Sequence, residues 1–143
     1  MTKLIIQIPC YNEEETLLTT LNDLPKTIAG IDEIEVLVIN DGSSDNSAEI
    51  ARNWGAKVLD IKPNKGLANA FRSGLGEALR RKADIIVNTD ADNQYCASDI
   101  EKLVVPILAG EADIVIGARD IGTIKEFSLF KKVCQKFGSA VLR

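Results

Sequence analysis

Asp90 and Asp92 flank a single alanine directly after the apolar run Ile85-Ile86-Val87. Two carboxylates so close repel each other, and a divalent cation relieves that repulsion; hard oxygen ligands of this kind suit Mg²⁺ or Mn²⁺. Gln94, two residues on, can add a neutral oxygen. A cation held there could bridge a diphosphate and neutralise its departing charge. The bare Asp-x-Asp spacing carries no weight, because this composition produces about one such pair by chance. Its position does. A pair of solvated turn carboxylates is the plain alternative.

Four other polar clusters follow apolar runs in the same way: Pro9-Cys10-Tyr11-Asn12-Glu13, Asn40-Asp41-Gly42-Ser43-Ser44-Asp45, Pro63-Asn64-Lys65-Gly66 and Gly117-Ala118-Arg119. Each has a structural explanation as well. Asn40-Asp41-Gly42 is good turn chemistry, and Ser43, Ser44 or Asp45 would cap a following helix. Other chemistries are excluded by composition. With no histidine, Ser-His-Asp and Cys-His catalysis and HExxH zinc hydrolysis are absent. Cys10, Cys96 and Cys134 are far apart without a CxxC pair, so they read as isolated thiols in a reducing compartment. Paired-carboxylate glycoside hydrolysis fits poorly, since both acids lie on one strand end.

The elements that must position these clusters alternate. Near-continuous apolar runs at Leu4–Ile8, Glu35–Ile39, Lys57–Ile61, Asp84–Asn88 and Asp113–Ile116 predict strands covered on both faces, as in a parallel sheet. Helical spacing marks Leu17, Leu18, Leu21 and Leu24 before Pro25, then the stretch Gly66 to Arg81, then Ser98 to Leu108. Ser98-Asp99-Ile100-Glu101 reads as a capping box, and Gly110 as a stop. Five βα units in 143 residues predict one doubly wound α/β domain. In such a sheet the ligand sits at the carboxyl ends of the strands, where the clusters fall.

Charge is uneven. Residues 1–60 carry four lysines and arginines against eleven acids, whereas residues 121–143 carry five against Glu126 alone. An acidic body argues against nucleic acid as a partner. The basic end, with apolar Phe127, Phe130, Val133, Cys134, Phe137 and Val141 at helical spacing, predicts an amphipathic helix over 124–142. It suits peripheral contact with an anionic membrane face or a phosphorylated substrate; left uncovered, its apolar stripe would drive self-association. No apolar run is long enough to span a bilayer, and no secretory leader is apparent. The expectation is a cytoplasmic protein, with the tail available to the cytoplasmic membrane face.

In order, PxYNE, NDGSSD, NxG, DADxQ and GAR resemble the family 2 glycosyltransferases with a GT-A fold, and most of all the dolichyl- or polyprenyl-phosphate sugar transferases. The resemblance runs from about Leu4 to Arg119. It implies a Rossmann-like, mostly parallel sheet with helices on both faces, a nucleotide-sugar donor (UDP- or GDP-linked), Mg²⁺ or Mn²⁺, and inverting transfer to a lipid phosphate. Residue by residue, it implies that Pro9, Tyr11 and Glu13 line the nucleoside pocket and that Asp41 contacts base or ribose. Asp90 would lie near ribose and metal. Asp92 and Gln94 would hold the metal on the diphosphate, and Arg119 would pair with a phosphate. Lys132 would face the acceptor.

The pattern departs from the family in two places. Asn40-Asp41 stands where paired acids are usual, and Gln135 stands where a serine often meets the acceptor phosphate. The resemblance also implies a longer catalytic domain, so residues 1–119 are expected to be the nucleotide-sugar-binding core and 120–143 the start of an acceptor region cut short. The rival reading is a non-catalytic nucleotide-sugar-binding module that needs a partner. A receiver-type regulatory domain shares the alternation, but it would want a lone Asp after the third strand and a Lys after the fifth.

Overall fold

A computed structural model describes residues 1–118. Eight elements alternate: β1 (Lys3–Cys10), α1 (Leu17–Asp23), β2 (Glu33–Asn40), α2 (Ser47–Trp54), β3 (Lys57–Asp60), α3 (Leu67–Arg80), β4 (Ile85–Asn88) and α4 (Asp99–Leu108). The strands form one sheet in the order β3-β2-β1-β4, and every pairing is parallel. The chain thus winds outward from β1 through β2 to β3, then crosses to the far side of β1 for β4. That reversal makes β1 the switch point of the sheet, with its flanking strand ends framing a crevice.

Both faces of β1 are covered, which is why its sequence is apolar apart from Lys3 and Gln7. Leu4, Ile6 and Ile8 join Val36 and Val38 against Leu17 and Leu21 of α1, Ala51 of α2, and Ile100 and Val104 of α4. On the other face Ile5, Leu37 and Ile39 meet Ala70 and Ala78 of α3. α3 approaches the sheet closely at Gly74. A Cβ there would stand 2.3 Å from Gln7 Oε1 and 2.8 Å from Ile39 Cδ1, so only glycine permits this helix–sheet distance. Gln7 is fully buried under it and donates Nε2–H to Asn88 Oδ1 at 3.1 Å.

Three local expectations are corrected. Asp113–Ile116 forms no strand; Ile114 and Ile116 are more than four-fifths exposed. Apolar alternation reports which residues favour cover, whereas a strand requires a backbone ladder, and none joins 113–118 to β4 among the described residues. The Ser98 capping box does not close. Ser98 is already helical (φ −65°, ψ −16°) and makes no cap bond, its Oγ lying 3.0 Å from Cys96 Sγ instead. Finally, α2 is capped by Asn46 without a side-chain bond; Asp45 instead accepts from Ser47 N–H and Ser47 Oγ–H at 3.0 and 2.6 Å. The predicted helix over 124–142 lies outside the described residues.

Candidate nucleotide-binding cleft

Three strand ends and the start of α3 enclose a cleft of about 480 Å³. It is lined by Pro9 at the end of β1, Tyr11 and Glu13 after it, Asp41 after β2, Asn64, Gly66 and Leu67 before and in α3, and Asp90 and Asp92 after β4. The strand register explains the gathering: Cys10 pairs with Asn40, Gln7 pairs with Asn88, and Thr89 N–H reaches Gln7 O at 3.1 Å. Polar segments that are remote in sequence must therefore emerge side by side.

The β1 and β2 loops are sewn together. Asn12 holds a positive φ of 55°, its N–H bonds Ser43 Oγ, and its Oδ1 accepts from Ser44 N–H. Glu13 N–H reaches Ser47 Oγ at 2.8 Å, and Glu14 N–H reaches Asp45 Oδ2. Glu14 in turn accepts from Asn46 N–H at 3.0 Å. Burial pushes the Asp45 carboxyl up, but the Ser47 hydroxyl and the backbone N–H groups of Ser47 and Glu14 outweigh that and hold it below the usual range. Cys10, beneath this seam, is inert as a thiol because burial pushes its pKa up to about 11.

Asp41 is buried and binds the next loop: Oδ1 accepts from Lys65 N–H at 3.0 Å and Oδ2 from Gly66 N–H at 2.8 Å. One carboxylate thereby fixes the Asn64–Gly66 segment at the mouth of α3. Gly42 (φ +77°) allows the close pass, since a Cβ would lie 2.9 Å from Asn64 N. Asn40 stands where a second acid is usual in the resembled family and is used structurally, donating to Asp60 Oδ1 and accepting from Ser43 N–H.

The loop after β4 is held from α1. Ala91 is buried, and its carbonyl lies 3.0 Å from Thr16 Oγ1 and 2.9 Å from Thr20 Oγ1. Asn93 Nδ2 reaches Asp23 Oδ2. Asp90 and Asp92 are half-buried and share the cleft; Asp92 Oδ1 also accepts from Gln94 N–H. The Gln94 side chain lines a neighbouring cavity with Thr89, Tyr95 and Cys96, not this one. Arg119 and Lys132 lie outside the described residues.

Among the described residues, no lysine or arginine pairs with Glu13, Asp41, Asp90 or Asp92. Two hard carboxylates in one cleft without an internal counter-charge fit a divalent cation. They fit it as a partial set only, because no three acidic, Cys or His side chains among the described residues converge on one point. Phosphate oxygens and water would have to complete it. Thr16, Thr20 and Asp23 escaped the sequence reading, which followed only the leucines of α1. The i, i+4, i+7 spacing of these polar residues was the available signal.

A parallel α/β sheet with a polar cleft at its switch point defines a doubly wound fold whose ligand site lies at the carboxyl ends of its strands. The family model "Glycosyl transferase family 2" matches residues 5–137, and the chain belongs to that family. It is 34% identical over 146 residues to the UDP-N-acetylglucosamine–dolichyl-phosphate N-acetylglucosaminyltransferase of Methanococcus voltae, covering 88% of this chain and 56% of that protein. To the dolichol-phosphate mannosyltransferase of Pyrococcus furiosus it is 31% identical, covering 94% and 38%. Among solved structures, glucosyl-3-phosphoglycerate synthase of Mycobacterium tuberculosis, in complex with Mn²⁺, UDP and glucosyl-3-phosphoglycerate, superposes with a TM-score of 0.64 at 25% identity, covering 77% of this chain and 41% of that one. The same enzyme is also known with Mg²⁺ and UDP. The chain therefore spans about half the length, or less, of these relatives. The expected GT-A-type architecture is confirmed by this likeness. No helix among the described residues is long and apolar enough to cross a membrane.

Proposed function

We propose that the cleft binds a nucleoside-diphosphate sugar together with Mg²⁺ or Mn²⁺, as the donor half of an inverting glycosyltransferase acting on a polyprenyl or dolichyl phosphate. The observation that carries the reading is the convergence of Tyr11, Glu13, Asp41, Asp90 and Asp92 from three strand ends on one cleft of about 480 Å³. The nucleoside would lie against Pro9, Tyr11, Glu13 and Asp41, with Asp90 toward the ribose. Asp90 and Asp92 would hold the cation, which when bound neutralises the charge of the departing diphosphate. Gln94, which lines the neighbouring cavity, would add a neutral oxygen to that set.

Arg119 is assigned to a donor phosphate and Lys132 to the acceptor phosphate, roles suited to permanent positive charge. A phosphate acceptor is already anionic, so transfer needs little base catalysis, in keeping with a chain without histidine. Catalysis would rest on positioning and on electrostatic stabilisation of the leaving group. The lipid acceptor is supported by the two dolichyl-phosphate relatives, and the metal by the Mn²⁺ and Mg²⁺ complexes of the structural neighbour. The basic tail would bring the protein to the membrane face where such an acceptor resides.

Calorimetry with UDP- and GDP-sugars, with Mn²⁺ or with excess EDTA, tests the reading. Donor binding should weaken sharply in excess EDTA and in Asp92→Ala, leaving only the weaker metal-free contacts of the nucleoside. Equal affinity with and without metal would refute it.

A further inference from the structure

We infer that Thr16 and Thr20 are positioning residues that set the geometry of the Asp90-Ala91-Asp92 turn, and through it the affinity for the metal-bound donor; this rests on the reading of the cleft given above. Local structure does not account for Thr16 and accounts for Thr20 only in part, its hydroxyl lying 3.2 Å from Thr16 O in the ordinary helical back-bond as well as 2.9 Å from Ala91 O. Thr16 is the N-cap of α1, where a threonine hydroxyl ordinarily accepts from a backbone N–H of the first turn. It makes no such bond. Its Oγ1 lies instead 3.0 Å from Ala91 O, 75 residues away in sequence, and 3.0 Å from Glu13 Oε2. Thr20 is β-branched, poorly suited to a seven-residue helix, yet it is buried with Oγ1 2.9 Å from the same carbonyl.

The Ala91 carbonyl is the backbone group between the two carboxylates. Fixing it fixes the plane of the Ala91–Asp92 peptide, and hence the direction in which Asp92 leaves the main chain relative to Asp90. Asp23, one turn beyond Thr20, meets Asn93 of the same loop at 3.3 Å. One polar stripe of α1 therefore grips the loop at two places. The helix's other tie runs through Glu13, whose N–H is held by Ser47 and whose carboxylate can take the Thr16 proton. Thr16 has one proton for two acceptors, so it donates to Ala91 O or to Glu13 Oε2 at any one time.

The test is UDP binding by calorimetry, in Mn²⁺ and in EDTA, for wild type, Thr20→Val, Thr20→Ser and Thr16→Val, with circular dichroism and thermal melting on each. Thr20→Val keeps shape and removes the hydroxyl. It should lose about fivefold to tenfold in affinity with Mn²⁺, the worth of one buried hydrogen bond, and nothing in EDTA. Thr20→Ser should restore the wild-type value. If Thr20→Val fails to fold, the half-buried Thr16→Val carries the same expectation. A loss that is equal with and without metal, or no loss in either variant, overturns the inference while leaving the donor site standing. A wild type indifferent to Mn²⁺ overturns the metal reading first and this inference with it.

Discussion

The two ends of the sheet carry similar numbers of charges and treat them in opposite ways. At the amino end every major acid has a partner. Lys3 Nζ lies 2.9 Å from Glu33 and 3.0 Å from Glu35, and Arg81 bridges Glu35 and Glu77 at 3.1 and 2.7 Å. Asp84 accepts from Lys3 N–H. Hydrogen bonds donated to Glu33 and Glu35 hold the Lys3 ammonium above its ordinary pKa. At the carboxyl end Glu13, Asp41, Asp90 and Asp92 have no cationic partner among the described residues; Asp41 and Asp92 accept backbone N–H groups and Glu13 the Thr16 O–H. One end is electrostatically closed and serves stability. The other is left negative and open, at a cost in self-repulsion that a bound cation would relieve.

The strongest way to break this contrast is Asp90→Asn. Donor affinity in Mn²⁺ should fall by about a hundredfold or more, exceeding what outer-shell changes around a metal usually cost. The melting temperature should stay level or rise, because one member of a repelling pair is neutralised. Calorimetry and thermal denaturation on the same sample decide it; a large drop in melting temperature would show the acid to be structural.

Gly74→Ala comes next and strikes between the two ends. Its Cβ would collide with Gln7 Oε1 and Ile39 Cδ1, so α3 must retreat from the sheet, costing about 2 kcal/mol of stability by overpacking. Urea titration should show the shift in midpoint. Donor binding should weaken with it, since Leu67 and Ala70 of α3 line the cleft.

Glu35→Ala sharpens the comparison from the closed end. It removes the shared partner of Lys3 and Arg81 and should cost about 1 kcal/mol, with UDP affinity unchanged. A change in affinity would mean that the two ends are coupled.

The smallest effect is on pH. Hydrogen bonds from Arg80 and Arg81 hold the Glu77 carboxyl below its ordinary value of 4.5. A depressed folded pKa contributes stability that is fully present above about 4.5 and is lost as pH falls through the folded value. Glu77→Gln should therefore flatten the decline in melting temperature below that pH and lower it slightly at pH 7.

Much of this was legible in the chain. A run such as Leu4-Ile5-Ile6-Gln7-Ile8 has no polar face, so a strand buried on both sides was the only economical reading, and four of the five expected strands stand where the apolar runs place them. The clusters after those strands were legible as well, since a doubly wound sheet leaves one edge for a ligand. Asp113–Ile116 misled because three successive apolar residues specify burial without specifying a partner. The capping box at Ser98 misled because the motif names donors and acceptors but not the backbone angles that let them meet.

What the sequence alone determined was the fold class and the edge of the sheet on which a site must lie, because hydrophobic periodicity and turn chemistry are local properties. Tertiary structure alone decided how that edge is assembled. That Asp41 binds the Lys65–Gly66 backbone and that Thr16 and Thr20 grip Ala91 are facts about groups 24 to 75 residues apart. No spacing along the chain encodes them. They follow from strand order and register, which bring separate loops to one place and leave their hydrogen-bonding groups to satisfy one another.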